Sequence, residues 1–423
     1  MSGLSFLAFA DLARKLTKAE FGNWITFLAM ITLAEVVRTS AIYTPLIKYI
    51  AGASNQNKIR FSGAGWVIAL IITLFLGGLD GLCLLIFGSN FNSDWILFTH
   101  WFPLVFVLSL PVNFAFCQLQ ALENFSSILW LRMLNNGLFL IFILIGINLL
   151  NGKVSFVLYS YLLSAFISSL VALVLNWAPF LNIFKTNKNS ILEIFHMSKY
   201  VMITGVSSNL LRSSDTFIIN AMMGPQFVAL YKTPEKILEL IELPIRTIAG
   251  TAIPEMAREL NQNSKLGMAK VMMKYTGILT LILIPIIIIS FLLAPNIMFL
   301  IGGSTYLVAS NLLRIFLFYA LLLPLDRFLG ISLDILGKPH LNLLKVILML
   351  GVNVLGDIVC IHYFGNVNSV AANSFLTFVV GIVFGDLVLR KYLKFSYKTM
   401  IKEAWDGLKK VYCRILKWKK VTI

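Results

Sequence analysis

Lys232-Thr-Pro-Glu235-Lys236-Ile-Leu-Glu239-Leu-Ile-Glu242-Leu-Pro-Ile-Arg246 places six ionisable side chains inside one of the apolar stretches that run through this chain of 423 residues. At about 100° per residue, a helix gathers all six within an arc of roughly 120°. A charge facing hydrocarbon at the bilayer centre costs about 2.5–3.5 kcal/mol on insertion scales. Six of them facing lipid is untenable, so they face protein or a water-filled cavity. A protein with a polar interior inside a membrane generally binds or moves something there.

The rest of the chain supplies the membrane. Hydrophobic residues make up 58% of the sequence and charged ones only 13%. Apolar runs of about 20 residues, the length that spans a bilayer, recur from end to end. The connecting loops are short and leave no room for a soluble domain. Cys83, Cys117, Cys360 and Cys413 are scattered without a CxxC spacing and read as small core residues. His100, His196, His340 and His362 have no metal-ligand spacing.

Twelve spans follow: 4–16, 21–50, 62–88, 95–121, 127–149, 154–177, 195–223, 227–258, 270–300, 307–335, 341–363 and 368–392. The first is short, covering about 24 Å against about 30 Å of hydrocarbon. It therefore reads as a half-span or as a span whose start is missing. Lys58, Arg60, Lys185, Lys188, Arg258, Lys265 and Lys338 all follow even-numbered spans, which predicts cytoplasmic even-numbered loops. From Arg390 to Ile423, eleven Lys/Arg stand against two acids, a net +9. Interleaved with Trp405, Tyr412 and Trp418, they predict a cytoplasmic amphipathic helix on an anionic membrane surface over 394–423. The same pattern also fits a solvated positive-inside tail. Either location argues against nucleic acid as the partner of this basic chain.

The two halves repeat. At an offset of 213, Pro111-Val-Asn113 meets Pro324-Leu-Asp326 and Arg132 meets Lys345; at 206, Asn55-Gln-Asn57 meets Asn261-Gln-Asn263. A six-span duplication predicts an N-terminal lobe over 1–180 and a C-terminal lobe over 195–393. An even number of spans gives parallel repeats, with the substrate site between them near the midplane. Under the repeat, the Glu35–Arg38 pair of span 2 matches the Glu242–Arg246 pair of span 8 to within two residues, and each is followed by a proline, Pro45 and Pro254.

Each charged group has a plainer reading. Lys232–Glu235, Lys236–Glu239, Glu242–Arg246 and Glu35–Arg38 are spaced to neutralise one another so that their helices can insert. Paired charges still need a polar place to sit, so both readings put them in a cavity. Span 7 sets Thr204, Ser208, Arg212 and Asp215 along one face. An Arg–Asp pair can be structural, or can offer a guanidinium to phosphate and a carboxylate to a proton or sodium ion. Asn353, Asp357, Asp326, Arg327 and Asp334 are weaker candidates for the same lumen. No GxxxxGK[ST], HExxH or GxSxG motif occurs, which removes the footing for P-loop ATP hydrolysis and for the usual hydrolase chemistries.

Leu16-Thr-Lys-Ala-Glu20-Phe21-Gly22, Asp215 through Gly224 leading to Leu230-Tyr231, Ile253-Pro254, Leu336-Gly337-Lys338-Pro339, Asn353, Phe364-Gly365 and Ala371-Ala372 resemble Wzx-type polysaccharide flippases. These belong to the superfamily that also holds multidrug and toxin extruders and lipid II flippases. The resemblance implies an all-α membrane protein of about twelve helices in two six-helix lobes around a central cavity, and a transporter, not an enzyme. It implies a multi-pass protein of the bacterial cytoplasmic membrane. The implied cargo is an oligosaccharide linked to undecaprenyl diphosphate, for O-antigen or capsule synthesis. Polysaccharide polymerase and glycosyltransferases are the implied protein partners. On that reading Arg38, Arg212 and Arg246 meet the diphosphate, and Glu35, Lys232, Lys236 and Glu242 line the cavity with them. Asp215 and Glu239 are the candidates for proton or sodium coupling, with no bound cofactor. The rival readings are an ion-coupled multidrug or cation antiporter of the same fold and, further off, a membrane polysaccharide polymerase. An antiporter calls for a carboxylate-dominated cavity, whereas here bases match acids. A polymerase calls for a sizeable outward loop.

Overall fold

The computed structural model describes residues 2–88, 93–150, 154–397 and 400, and among these the regular structure is helical throughout. The basic segment expected to form an amphipathic helix lies almost entirely outside them. The first half contributes α1 (Ser2–Lys15), α2 (Lys18–Ile50), α3 (Asn55–Phe87), α4 (Ser93–Leu108), α5 (Leu110–Ala121), α6 (Phe125–Leu150) and α7 (Val154–Val174). After a short 3-10 segment come α8 (Lys188–Met222) and α9 (Pro225–Asn261). The second half continues with α10 (Lys265–Leu292), α11 (Ala294–Gly302), α12 (Ser310–Ala320), α13 (Leu323–Ile335), α14 (Pro339–Phe364) and α15 (Val367–Leu389).

Local chemistry sets the ends. Thr17 and Glu20 form a reciprocal capping box that starts α2. The side chains of Asn187, Ser264 and Asn366 cap α8, α10 and α15. Gly365, at φ 60°, closes α14 in the left-handed conformation that glycine adopts without a Cβ penalty. Prolines open helices where apolar runs continue: Pro111, Pro295 and Pro324 sit in the first turn of α5, α11 and α13. Proline cannot donate to the carbonyl four residues back, so each begins a new helix inside what the hydropathy alone reads as one span.

Eight helical segments are long and apolar enough to cross a membrane, or nine if the pair bent by 42° at the α12–α13 junction counts as one span. In that reckoning α4 and α5 form one span, Phe98–Ala121. α1, α8 and α9 complete the twelve: α1 is short at 14 residues, while α8 and α9 are long at 35 and 37 but carry the charges. The protein is thus an all-α membrane protein. Leu74, Phe75, Leu82, Leu85 and Ile86 stand exposed on α3, an apolar surface that belongs in lipid.

Two compact units emerge, meeting in sequence at Ala229 and Leu230. The division falls later than the 180/195 boundary expected from the repeat, because α8 packs along α2. Ser198 of α8 donates to the Ala41 carbonyl, and Gly205 leaves the space that a Cβ would contest with Ser40 Oγ at 2.3 Å. The first unit is built around buried Trp66, which stacks on Phe114 at 4.4 Å, and buried Trp24, set among Phe27, Phe98, Phe139 and Tyr161. In the second unit, Tyr231, Phe316 and Phe328 are fully buried.

Candidate functional site

In the first unit, the Glu35–Arg38 pair is locked into the break between α4 and α5. Pro111 deprives the Val107 carbonyl of its ladder partner, and the neighbouring carbonyls are taken up by side chains. Arg38 Nη1 donates to the Phe106 carbonyl at 2.6 Å and to Thr73 Oγ1 at 3.2 Å. Its Nη2 donates to Glu35 Oε1 at 2.8 Å and to Ser109 Oγ at 3.0 Å. Ser169 Oγ similarly donates to the Leu108 carbonyl at 2.6 Å. Glu35 accepts further bonds from Ser109 and Asn113, and the Arg38 guanidinium lies 4.1 Å from the Phe106 ring centroid. Both terminal nitrogens of Arg38 are saturated, and its side chain is 1% exposed. Arg38, expected to meet a diphosphate, is thus buried with both terminal nitrogens committed to protein partners. It fastens α2 to the α4–α5 break.

The six charges between Lys232 and Arg246 on α9 stand as three ion pairs. Lys232 meets Glu235 at 2.7 Å, Lys236 meets Glu239 at 2.6 Å, and Arg246 pairs with Glu242. The accessibility of the three bases rises along the helix, from 14% for Lys232 through 23% for Lys236 to 48% for Arg246. Thr247 and Thr251 extend the exposed polar face beyond it. Pro234, Pro244 and Pro254 each remove a ladder hydrogen bond and leave a carbonyl to be satisfied elsewhere. This surface is the opposite of the α3 surface, because what it exposes is charge and hydroxyl.

On α8, Thr204, Ser208 and Arg212 share an exposed stripe, while Asp215, one turn further, is buried. In the second unit, Asn373 donates to Asp357 Oδ1 at 2.9 Å and to the Asn353 carbonyl at 3.0 Å, all three residues being buried. Gly356 makes room for this, since a Cβ there would lie 2.1 Å from Asn373 Oδ1. Asp326 accepts from buried Lys345 at 2.7 Å, Asp334 accepts from Asn342, and Arg327 is exposed.

One feature of the first unit was not evident in the sequence. Thr39, Ser40, Tyr43 and Thr44 of α2, Asn113, Phe116, Cys117 and Gln120 of α5, Arg132 of α6 and Val201 of α8 line an open cavity of about 340 Å³. Arg132 is its one ionised lining group, with its guanidinium 5.1 Å from the Phe116 ring centroid. The duplication had already pointed to position 132, as the partner of Lys345, but gave no hint of a cavity there.

The family described as polysaccharide biosynthesis protein matches residues 1–260. Over 207 residues the chain is 23% identical to a probable low-salt glycan biosynthesis flippase, Agl15, of Haloferax volcanii, in a match covering 48% of this chain. The chain spans 44% of the length of that curated relative. Among solved structures, an inward-facing MATE family multidrug resistance transporter of the MOP superfamily aligns with a TM-score of 0.77 at 15% identity, over 93% of this chain and 96% of that one. The lipid II flippase MurJ, in an inward closed conformation, gives 0.73 at 13%, over 98% and 90%. A MOP superfamily transporter from Pyrococcus furiosus gives 0.66 at 16%, over 94% and 92%. At these identities the likeness is one of fold.

Proposed function

Since the chain belongs to the polysaccharide biosynthesis protein family, we propose that it is a flippase that carries lipid-linked oligosaccharide across the membrane in which it sits. The finer reading is a repeat unit on undecaprenyl diphosphate, moved across a bacterial cytoplasmic membrane for O-antigen or capsule synthesis. It acts as a transporter and not as an enzyme, and takes its substrate from glycosyltransferases and hands it to a polymerase.

The observation that carries this reading is the exposed, ion-paired face of α9. A sugar-diphosphate head group cannot cross hydrocarbon unaided, whereas its polyprenyl chain can stay in lipid. The barrier falls if the protein supplies cations to the diphosphate and hydroxyls to the sugars. Arg246, 48% exposed and paired with Glu242, can exchange that carboxylate for phosphate at low cost. An exposed i,i+4 pair is worth about 0.3–0.5 kcal/mol, and a planar guanidinium grips phosphate through two parallel bonds. Arg212, on the exposed stripe of α8 in the first unit, is another exposed cation with the same chemistry. Lys232 and Lys236 stand paired with carboxylates on the same helix as Arg246 and keep the path polar.

Asp215 or Glu239 takes up a proton or sodium ion when anionic cargo draws the basic partner away, and releases it when the pair re-forms. The balance of bases and acids on α8 and α9 favours this anionic cargo over the cationic drug of an antiporter. Deleting the gene should remove surface polysaccharide and leave lipid-linked oligosaccharide in the inner leaflet; unchanged surface polysaccharide would end the proposal.

A further inference from the structure

We propose that the cavity around Arg132 in the first unit binds an anionic phosphoryl group carried by a lipid. This deepens the flippase reading, and rests on it only for the source of that phosphoryl group.

Three features of the cavity point to an anion. First, its lining offers Arg132, the hydroxyls of Thr39, Ser40, Tyr43 and Thr44, and the Gln120 amide, with no carboxylate among them. Arg132 is exposed, and none of the ion pairs among the described residues includes it. Glu35, which accepts from the lining residue Asn113, is already paired with Arg38. Second, the guanidinium of Arg132, an exposed residue, lies 5.1 Å from the Phe116 ring centroid, and that contact steadies the cation at the edge of the space. At about 340 Å³ the volume falls in the range of small-molecule pockets, about 300–1,000 Å³.

The third feature is the duplicate. In the second unit the equivalent of Arg132 is Lys345, buried and bonded to both the carboxylate and the carbonyl of Asp326. That contact fastens α14 to the proline-initiated helix α13. In the first unit the equivalent helix is α5, and it is fastened by Arg38 and Glu35 of α2. Position 326 is Asp in the second unit, whereas its counterpart, position 113, is Asn and donates to Glu35. The cation at 132 is thereby relieved of the structural task its counterpart performs, and the acid that would neutralise it is gone.

Location suggests where the ligand comes from. The lining falls in the C-terminal parts of α2 and α5 and the N-terminal part of α6, next to the loops after spans 2 and 4, which the basic residues Lys58 and Arg60 assign to the cytoplasmic side. Lipid-linked glycan awaiting transport and the phospholipids of that leaflet both present phosphoryl groups there.

The test is calorimetric titration of the purified full-length protein in detergent, with sodium pyrophosphate and dihexanoyl phosphatidylglycerol as probes. Wild type should bind pyrophosphate, and Arg132→Gln should weaken it about tenfold or more, as loss of a charged hydrogen bond predicts. Arg132→Lys should lose less. Gln120→Glu, which keeps Arg132 but neutralises it, should lose as much as Arg132→Gln. Without ligand, Arg132→Gln should melt like wild type. A tenfold preference for pyrophosphate over the phospholipid identifies the glycan carrier as the source, and equal affinity identifies the leaflet's own head groups. No binding by wild type, or binding that survives Arg132→Gln but is lost in Arg246→Ala, would overturn the proposal. Because the readout is binding, it stands or falls separately from the gene deletion that tests transport.

Discussion

α2 and α9 carry the same device, a glutamate and an arginine one turn apart with a proline further on, and the fold has put it in two environments. On α2, Arg38 is 1% exposed and spends both terminal nitrogens on Thr73, Phe106, Ser109 and Glu35. On α9, Arg246 is 48% exposed and holds Glu242. Removing one partner of a buried pair costs about 3–5 kcal/mol because the other charge is stranded, whereas an exposed pair is worth a few tenths. An ion pair that cheap to open can trade its partner for a ligand, and one that expensive cannot. Environment, not sequence motif, therefore separates a fastening from a pair that a ligand can open.

The largest effect should come from breaking the fastening. Arg38→Ala should lower the unfolding free energy by about 3–5 kcal/mol and sharply reduce protein in the membrane. Arg246→Ala should melt like wild type, within about 0.5 kcal/mol. Thermal unfolding in detergent reads both, and equal losses would dissolve the distinction. Asn113→Leu removes one bond to Glu35 without stranding an ion, so a smaller loss of about 1–3 kcal/mol is expected. A loss as large as that of Arg38→Ala would mean that Asn113, not the arginine, holds the break together.

Coupling should move without any change in stability. If Asp215 carries the ion, Asp215→Asn protein in liposomes should translocate cargo with no dependence on an imposed pH or sodium gradient. Wild-type transport indifferent to both gradients would instead make the protein a facilitator driven by consumption of the cargo outside.

Much of this could be read in the sequence because membrane helices are written locally. A run of about 20 apolar residues announces a span, and six charges on one arc announce a polar face. The breaks before α5, α11 and α13 were missed because the apolar runs continue through them, although Pro111, Pro295 and Pro324 marked the places. Arg38 could not be assigned by pattern, because Thr73, Phe106 and Ser109 reach it from 35 to 71 residues away. The cavity at Arg132 was hidden for the same reason, since four helices converge to make it. The pairing of Glu242 with Arg246 was legible because both partners lie within one turn.

The most direct test of the account is the rate at which reconstituted protein translocates a diphosphate-linked oligosaccharide lipid, measured for Arg246→Ala, Arg246→Lys and wild type at equal protein content. The account predicts that Ala loses at least about tenfold, as for a charged hydrogen bond to phosphate, that Lys recovers part of it, and that all three melt alike. Wild-type rates for Arg246→Ala would contradict it and leave the α9 pairs as neutralised charges that do no more than let the helix insert.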